Sequence, residues 1–287
     1  MGLVMLPVIN AALYALQLYV NYGVGGRIGA VSRRHETLIT PSPYAFAIWG
    51  VIYTLLSLLV IVDVFAPSLS VFAAAPKPAM LRLLFAASCV ANMAWIALFS
   101  NEMIHLSTLV LVVLWAILAT LYLYLVSDHK KNGVALGRYW CSDLGLTIYF
   151  AWTCAATLIA LAVSLQEWSR GFLSLVAYIA LLSVLGVATI SAVIFNEDVA
   201  FGLVAIWALV AVSLKSFPWN DPSVERMHES VKVCAAQNAA MVAAFIVISL
   251  AVRFIARHSM DGYDTLEQAA PMLNGKTTQH DGHYGST

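Results

Sequence analysis

Long apolar runs recur along the chain, separated by short stretches in which Pro, Gly, Lys, Arg and Asp gather. A helix needs about 20 mostly apolar residues to cross ~30 Å of hydrocarbon. Eight runs meet that need: Leu3 to Val20, Ala45 to Phe65, Leu83 to Phe99, Leu106 to Val126, Gly145 to Leu165, Phe172 to Phe195, Val199 to Leu214 and Val233 to Ile255. The seventh is the shortest. Pro41 with Pro43, Pro67 with Pro76 and Pro78, the polar stretch Ser127 to Gly133, and Pro218 with Pro222 each interrupt a helix where backbone must meet water. The pattern predicts an all-α, polytopic transmembrane bundle of about eight spans. It also predicts a long first loop over residues 21–44 and, from Arg257 onward, a disordered polar tail (257–287) rich in Gly, Thr, His and Asp.

Composition agrees, with 61% apolar and 10% charged residues against the roughly 25% charged of a soluble domain. Fifteen basic residues balance fifteen acidic ones, which excludes the electrostatic footprint of a nucleic-acid binder and leaves membrane lipids as the surrounding partner. The first run has no Lys or Arg before it and no small-residue cleavage site, so it reads as a retained span. Lys and Arg divide almost evenly between the two sides of an eight-span bundle and do not choose an orientation. The four cysteines, Cys89, Cys141, Cys154 and Cys234, have no CxxC or metal spacing and read as packing thiols.

The spans are nearly free of ionisable groups. Asp63, near the end of the second run, is the one carboxylate clearly inside an apolar stretch and reads as an interfacial cap or water-facing group; all seven His fall in loops or the tail. This pattern argues against a proton-coupled carrier, intramembrane hydrolysis and a His-ligated membrane haem. No HExxH, GxSxG, P-loop or dinucleotide fingerprint occurs, so the sequence offers no catalytic residue, no metal ligand set and no enzymatic reading.

What the spans do contain is aromatic residues at helical spacing. Phe46, Trp49 and Tyr53 share one face of the second run, Asn92, Trp95 and Phe99 one face of the third, and Tyr149, Trp152 and Ala156 one face of the fifth. Trp140, Trp168 and Trp219 suit the interfacial belt. Trp95, Trp115, Trp152 and Trp207 lie nearer mid-span, where an indole N–H needs a buried partner. Two readings stay open: rings that fill the bundle core with Asn92 as an interhelical hydrogen-bonding group, or an aromatic-walled cavity for a flat, apolar ligand that Asn92 orients.

The stretch Thr40-Pro41-Ser42-Pro43-Tyr44-Ala45-Phe46-Ala47-Ile48-Trp49-Gly50-Val51-Ile52-Tyr53 resembles the opening of the second helix in the TspO family, also called translocator protein or tryptophan-rich sensory protein. Asn92-Met93-Ala94-Trp95-Ile96-Ala97-Leu98-Phe99 is similar to the family's Asn-x-x-Trp-x-x-x-Phe in the third helix, and Tyr149 to Thr157 to its Tyr-x-x-Trp-x-x-x-Ala-Thr in the fifth. The chain differs at Thr40, Ile148 and Ala160, where the family has Pro, Pro and Asn, and it adds about three helices, as the long form does. The resemblance implies a five-helix core (1–165) followed by three additional helices (166–256). It also implies a pocket, closed by the first loop, that binds a tetrapyrrole such as protoporphyrin or haem, or a sterol. Porphyrin or haem would be a ligand rather than a resident cofactor.

The expected ligand-binding residues are therefore Phe46, Trp49, Tyr53, Asn92, Trp95 and Trp152, with Arg27, Arg33 and Arg34 of the lid loop facing either ligand carboxylates or, in the other reading, solvent and lipid phosphates. Two other classes stand beside this receptor: a transporter of small molecules or lipids without ion coupling, and a structural subunit of a membrane complex. Small-residue ridges such as Ala236, Ala240 and Ala244 allow close helix contacts, within the chain or between the protomers of a homodimer.

Overall fold

The computed structural model describes residues 2–133 and 135–274, with side chains over 5–133 and 135–256. Among them are eight long helices: α1 (Gly2–Arg34), α2 (Ile48–Phe65), α3 (Pro78–Ser100), α4 (Ile104–Asn132), α5 (Leu144–Ser169), α6 (Leu175–Phe195), α7 (Val199–Ser213) and α8 (Pro222–Asn274). Six segments of this bundle are long and apolar enough to cross a membrane, and α7 is a shorter apolar helix of 15 residues. The protein is an integral, multi-pass membrane protein. Local sequence explains the boundaries. Pro43 opens a 3-10 turn that feeds α2, Pro78 starts α3, the Ser174 hydroxyl accepts the Ala177 N–H at the start of α6, and the Asp198 carboxylate accepts the Phe201 N–H at the start of α7.

Contacts between distant residues define the two ends of the bundle. At one end Arg34 meets Glu102, His105 bonds Ser164 and Phe172 packs against Trp219. At the other, Lys130 bonds Asn196, the Val71 N–H donates to the Ser142 hydroxyl, and Arg253 pairs with Glu197. The alternation of these ends along the chain is that of eight successive crossings. Between them one core runs through both the first five helices and the last three, from Tyr14 and Phe85 through Trp152 to Tyr178 and Ala235. At Gly186 α8 packs closely on α6: a Cβ there would lie 2.2 Å from the Asn238 Oδ1. The ridge Ala236, Ala240 and Ala244 points outward, while Val231, Ala235, Ala239 and Val242 form the packed face of α8.

Three expectations change. The loop expected over 21–44 is helical as far as Arg34, so the first connection spans only residues 35–47 with its 3-10 turn. Four glycines in residues 23–29 signal a loop, yet a helix can leave the hydrocarbon and continue in water, and polarity marks the bilayer edge rather than the helix end. For the same reason α4 carries His129 and α8 carries His228. Asp63 does not face water. It is 3% exposed and receives two hydrogen bonds from Arg82, each 2.8 Å, and one from the Ser70 hydroxyl, because the short connection between α2 and α3 brings the start of one helix beside the end of the other. Lastly, α8 continues to Asn274, whereas a disordered tail is expected from residue 257; residues 275–287 lie outside the described residues.

The eight crossings can be tested with single cysteines introduced at the exposed positions Lys131 and Asp221 in a background free of the four native thiols. A membrane-impermeant maleimide should reach these two from opposite faces; labelling from the same face would mean that α5, α6 and α7 do not make three crossings.

Candidate ligand cavity

The three aromatic stripes face one cavity of about 630 Å³, within the range typical of small-molecule sites. Phe46, Trp49 and Tyr53 of the α2 entry and α2, Trp95 and Phe99 of α3, and Trp152 with Ala156 of α5 all line it. Trp49 is the hub. Its ring stacks on Tyr53 (centroids 5.4 Å apart) and on Trp95 (6.2 Å), and meets Tyr149 (6.0 Å) and Trp152 (6.4 Å) edge-on. Trp95 stacks further on Phe99, and Phe46 meets Trp152 edge-on. The spacing i, i+3, i+7 produces this wall, since such residues share one helix face and three helices turn those faces inward.

The fourth wall is α1, through Tyr22, Gly25, Gly29 and Arg33 on one helical face. At Gly25 an added Cβ would meet nothing within 4 Å, and at Gly29 only the end of Arg33. The missing side chains are cavity space.

Asn92 stands behind the wall rather than in it. It is fully buried, and its Oδ1 accepts a hydrogen bond of 2.9 Å from Asn21, which does line the cavity. Among the described residues the Trp152 Nε1 is buried without a hydrogen-bond partner. An unpaired buried donor costs about 1–3 kcal/mol, so this end of the cavity favours a ligand that presents an acceptor. Two other mid-span indoles are satisfied: Trp115 donates to the Cys154 sulfur at 3.3 Å and Trp207 to the Ala45 carbonyl at 3.0 Å.

The three expected arginines separate. Arg33 lines the cavity, Arg34 is held by Glu102, and Arg27 is exposed outside the lining. The lining instead takes Glu36, Thr40 and Pro41 from the first connection, all buried, and Lys215 from just beyond α7. This first connection is clasped by the end of α5, by α7 with the residue beyond it, and by α6 through Tyr178. Lys215 pairs with Glu36, the Gln166 side chain donates to the Glu36 carbonyl at 2.8 Å, the Ser42 N–H donates to the Ala211 carbonyl at 2.9 Å, and Tyr178 donates to Gln166 at 2.7 Å. Beside it, His35 bonds Glu167 at 2.7 Å. Burial pushes the Glu36 carboxyl above the usual carboxylate range, against the pull of Lys215 and Arg33. Lys215 and the α1 glycines are the lining residues that sequence reasoning missed. A lysine after an apolar run reads as a membrane-edge charge, and only the fold shows that it turns inward.

Among the described residues no cluster of His, Cys, Asp and Glu could hold a metal ion. A family model described as TSPO-like protein matches residues 4–251, which is most of the chain and takes in the helices beyond the fifth. No curated protein and no solved structure matches.

Proposed function

The chain belongs to the TSPO-like protein family, and from that premise we propose that it is a membrane receptor for a planar hydrophobic ligand of the tetrapyrrole class, bound in the cavity between α1, α2, α3 and α5. One observation carries the reading: aromatic stripes from three separate helices meet as a continuous wall around a single cavity, with the unpartnered N–H of Trp152 in that wall. A macrocycle would lie against Trp49, Trp95 and Phe46, whose faces and edges suit offset or edge-on ring contacts worth about 0.5–1.5 kcal/mol each beyond area burial. The Trp152 N–H would direct a ligand acceptor to the deep end, and Asn92 would act through Asn21. A sterol would use the same apolar wall with fewer ring contacts.

Titration of the purified protein with protoporphyrin, following Trp fluorescence, tests the reading. Trp49→Ala should weaken binding about tenfold, the factor that corresponds to 1.4 kcal/mol. Trp115→Ala, which removes a ring from α4 outside the cavity lining, should leave affinity within about twofold. Equal losses in both variants, or no saturable binding by the wild type, would contradict the proposal.

A further inference from the structure

Resting on that reading, we infer that Lys215, supplied by the added helices, is the specificity determinant that selects a carboxylate-bearing ligand, whose carboxylate replaces Glu36 as the lysine's counter-ion. Lys215 is 8% exposed and yet lines the cavity, so its charge is directed inward and shielded from water. A buried ammonium needs an anion close by. Among the described acidic residues Glu36 is the one that both lines the cavity and pairs with it. Glu36 belongs to the first connection, which Gln166, Ala211 and Trp207 hold through backbone contacts that do not involve its carboxylate. The carboxylate can therefore leave Lys215 without unfastening the connection.

Exchange of one carboxylate for another keeps the lysine paired, and the displaced Glu36, whose carboxyl burial already holds above the usual carboxylate range, takes up a proton from solvent instead of remaining a buried unpaired charge. Arg33 of α1 lines the same cavity and, among the described residues, forms no ion pair within 4 Å. A ligand with two carboxylates finds both cations in one lining, and each charge-assisted contact is stronger than a neutral one. An apolar ligand without carboxylates must leave the Glu36–Lys215 pair in place and gains nothing from it. Of the two cations in this lining, Arg33 of the five-helix part is exposed and Lys215, from the added helices, is buried.

Protoporphyrin and its dimethyl ester differ only in the charge of the two side arms, and their affinities for three proteins test the inference. Lys215→Gln should weaken protoporphyrin binding about tenfold and leave the ester within about twofold. Glu36→Gln, which removes the competing anion, should strengthen protoporphyrin binding severalfold. A pair with a purely structural role would weaken both ligands in both variants, and that outcome overturns the inference, as does unchanged protoporphyrin affinity in Lys215→Gln. Failure of the wild type to bind either compound would instead overturn the receptor reading itself.

Discussion

Replacing Asp63 by Asn is expected to destabilise the protein by about 3–5 kcal/mol, the usual effect of removing one partner from a buried ion pair. The carboxylate accepts two hydrogen bonds from Arg82 and one from Ser70, and both charged residues are buried, so the variant leaves a guanidinium without its counter-charge. The Arg82 carbonyl also accepts the Asn10 side-chain N–H at 3.0 Å, which ties α1 to the same point. This clamp therefore fixes the ends of α1, α2 and α3 remote from the cavity, and with them the relative rotation that places Trp49 against Trp95. Replacing both charges, as Asp63→Leu with Arg82→Met, should recover most of the loss, because an apolar pair of similar size fills the space without a desolvation cost. Denaturant unfolding of the three proteins in detergent measures both effects. A loss in the double variant as large as in Asp63→Asn would show that the hydrogen bonds to Ser70, rather than the uncompensated charge, dominate.

The number of helices and their order are legible in the sequence because hydrocarbon imposes a length and an apolar composition on each span. Even the short seventh run is a short helix, Val199–Ser213. The aromatic wall is legible for a related reason: Phe46, Trp49 and Tyr53, or Trp95 and Phe99, can share a cavity only if they share a helix face, and their spacing states that they do. What the pattern does not contain is anything decided between distant segments. Asn92 reads as a cavity group, but its bond to Asn21 sets it behind the wall. Asp63 reads as facing water until Arg82 is seen beside it. Glycines at 23, 25, 26 and 29 signal a loop by local propensity, yet the helix runs through them, and Gly25 and Gly29 leave room that a larger residue would occupy. The basic residues of the first connection are assigned by proximity in sequence, whereas the buried cation of the lining, Lys215, comes from the far end of the chain.

The second large effect follows from those glycines. Gly25 and Gly29 lie one helical turn apart on the α1 face that lines the cavity, in backbone that is already helical, so larger residues there should favour the helix by up to about 1 kcal/mol each. Their side chains would grow into space that the ligand is proposed to use. In Gly25→Phe/Gly29→Phe the fold should persist, with helix content and unfolding midpoint at or above those of the wild type, while the cavity closes against Trp49 and Trp95.

Calorimetric titration of protoporphyrin into the wild type and into Gly25→Phe/Gly29→Phe, at matched detergent and lipid content, is therefore the most direct measurement. A saturable, single-site isotherm for the wild type and a loss of at least about a hundredfold, some 2.8 kcal/mol, in the filled variant is the predicted result. Equal affinity in the two proteins would place the ligand elsewhere on the bundle and contradict the assignment of this cavity as the binding site.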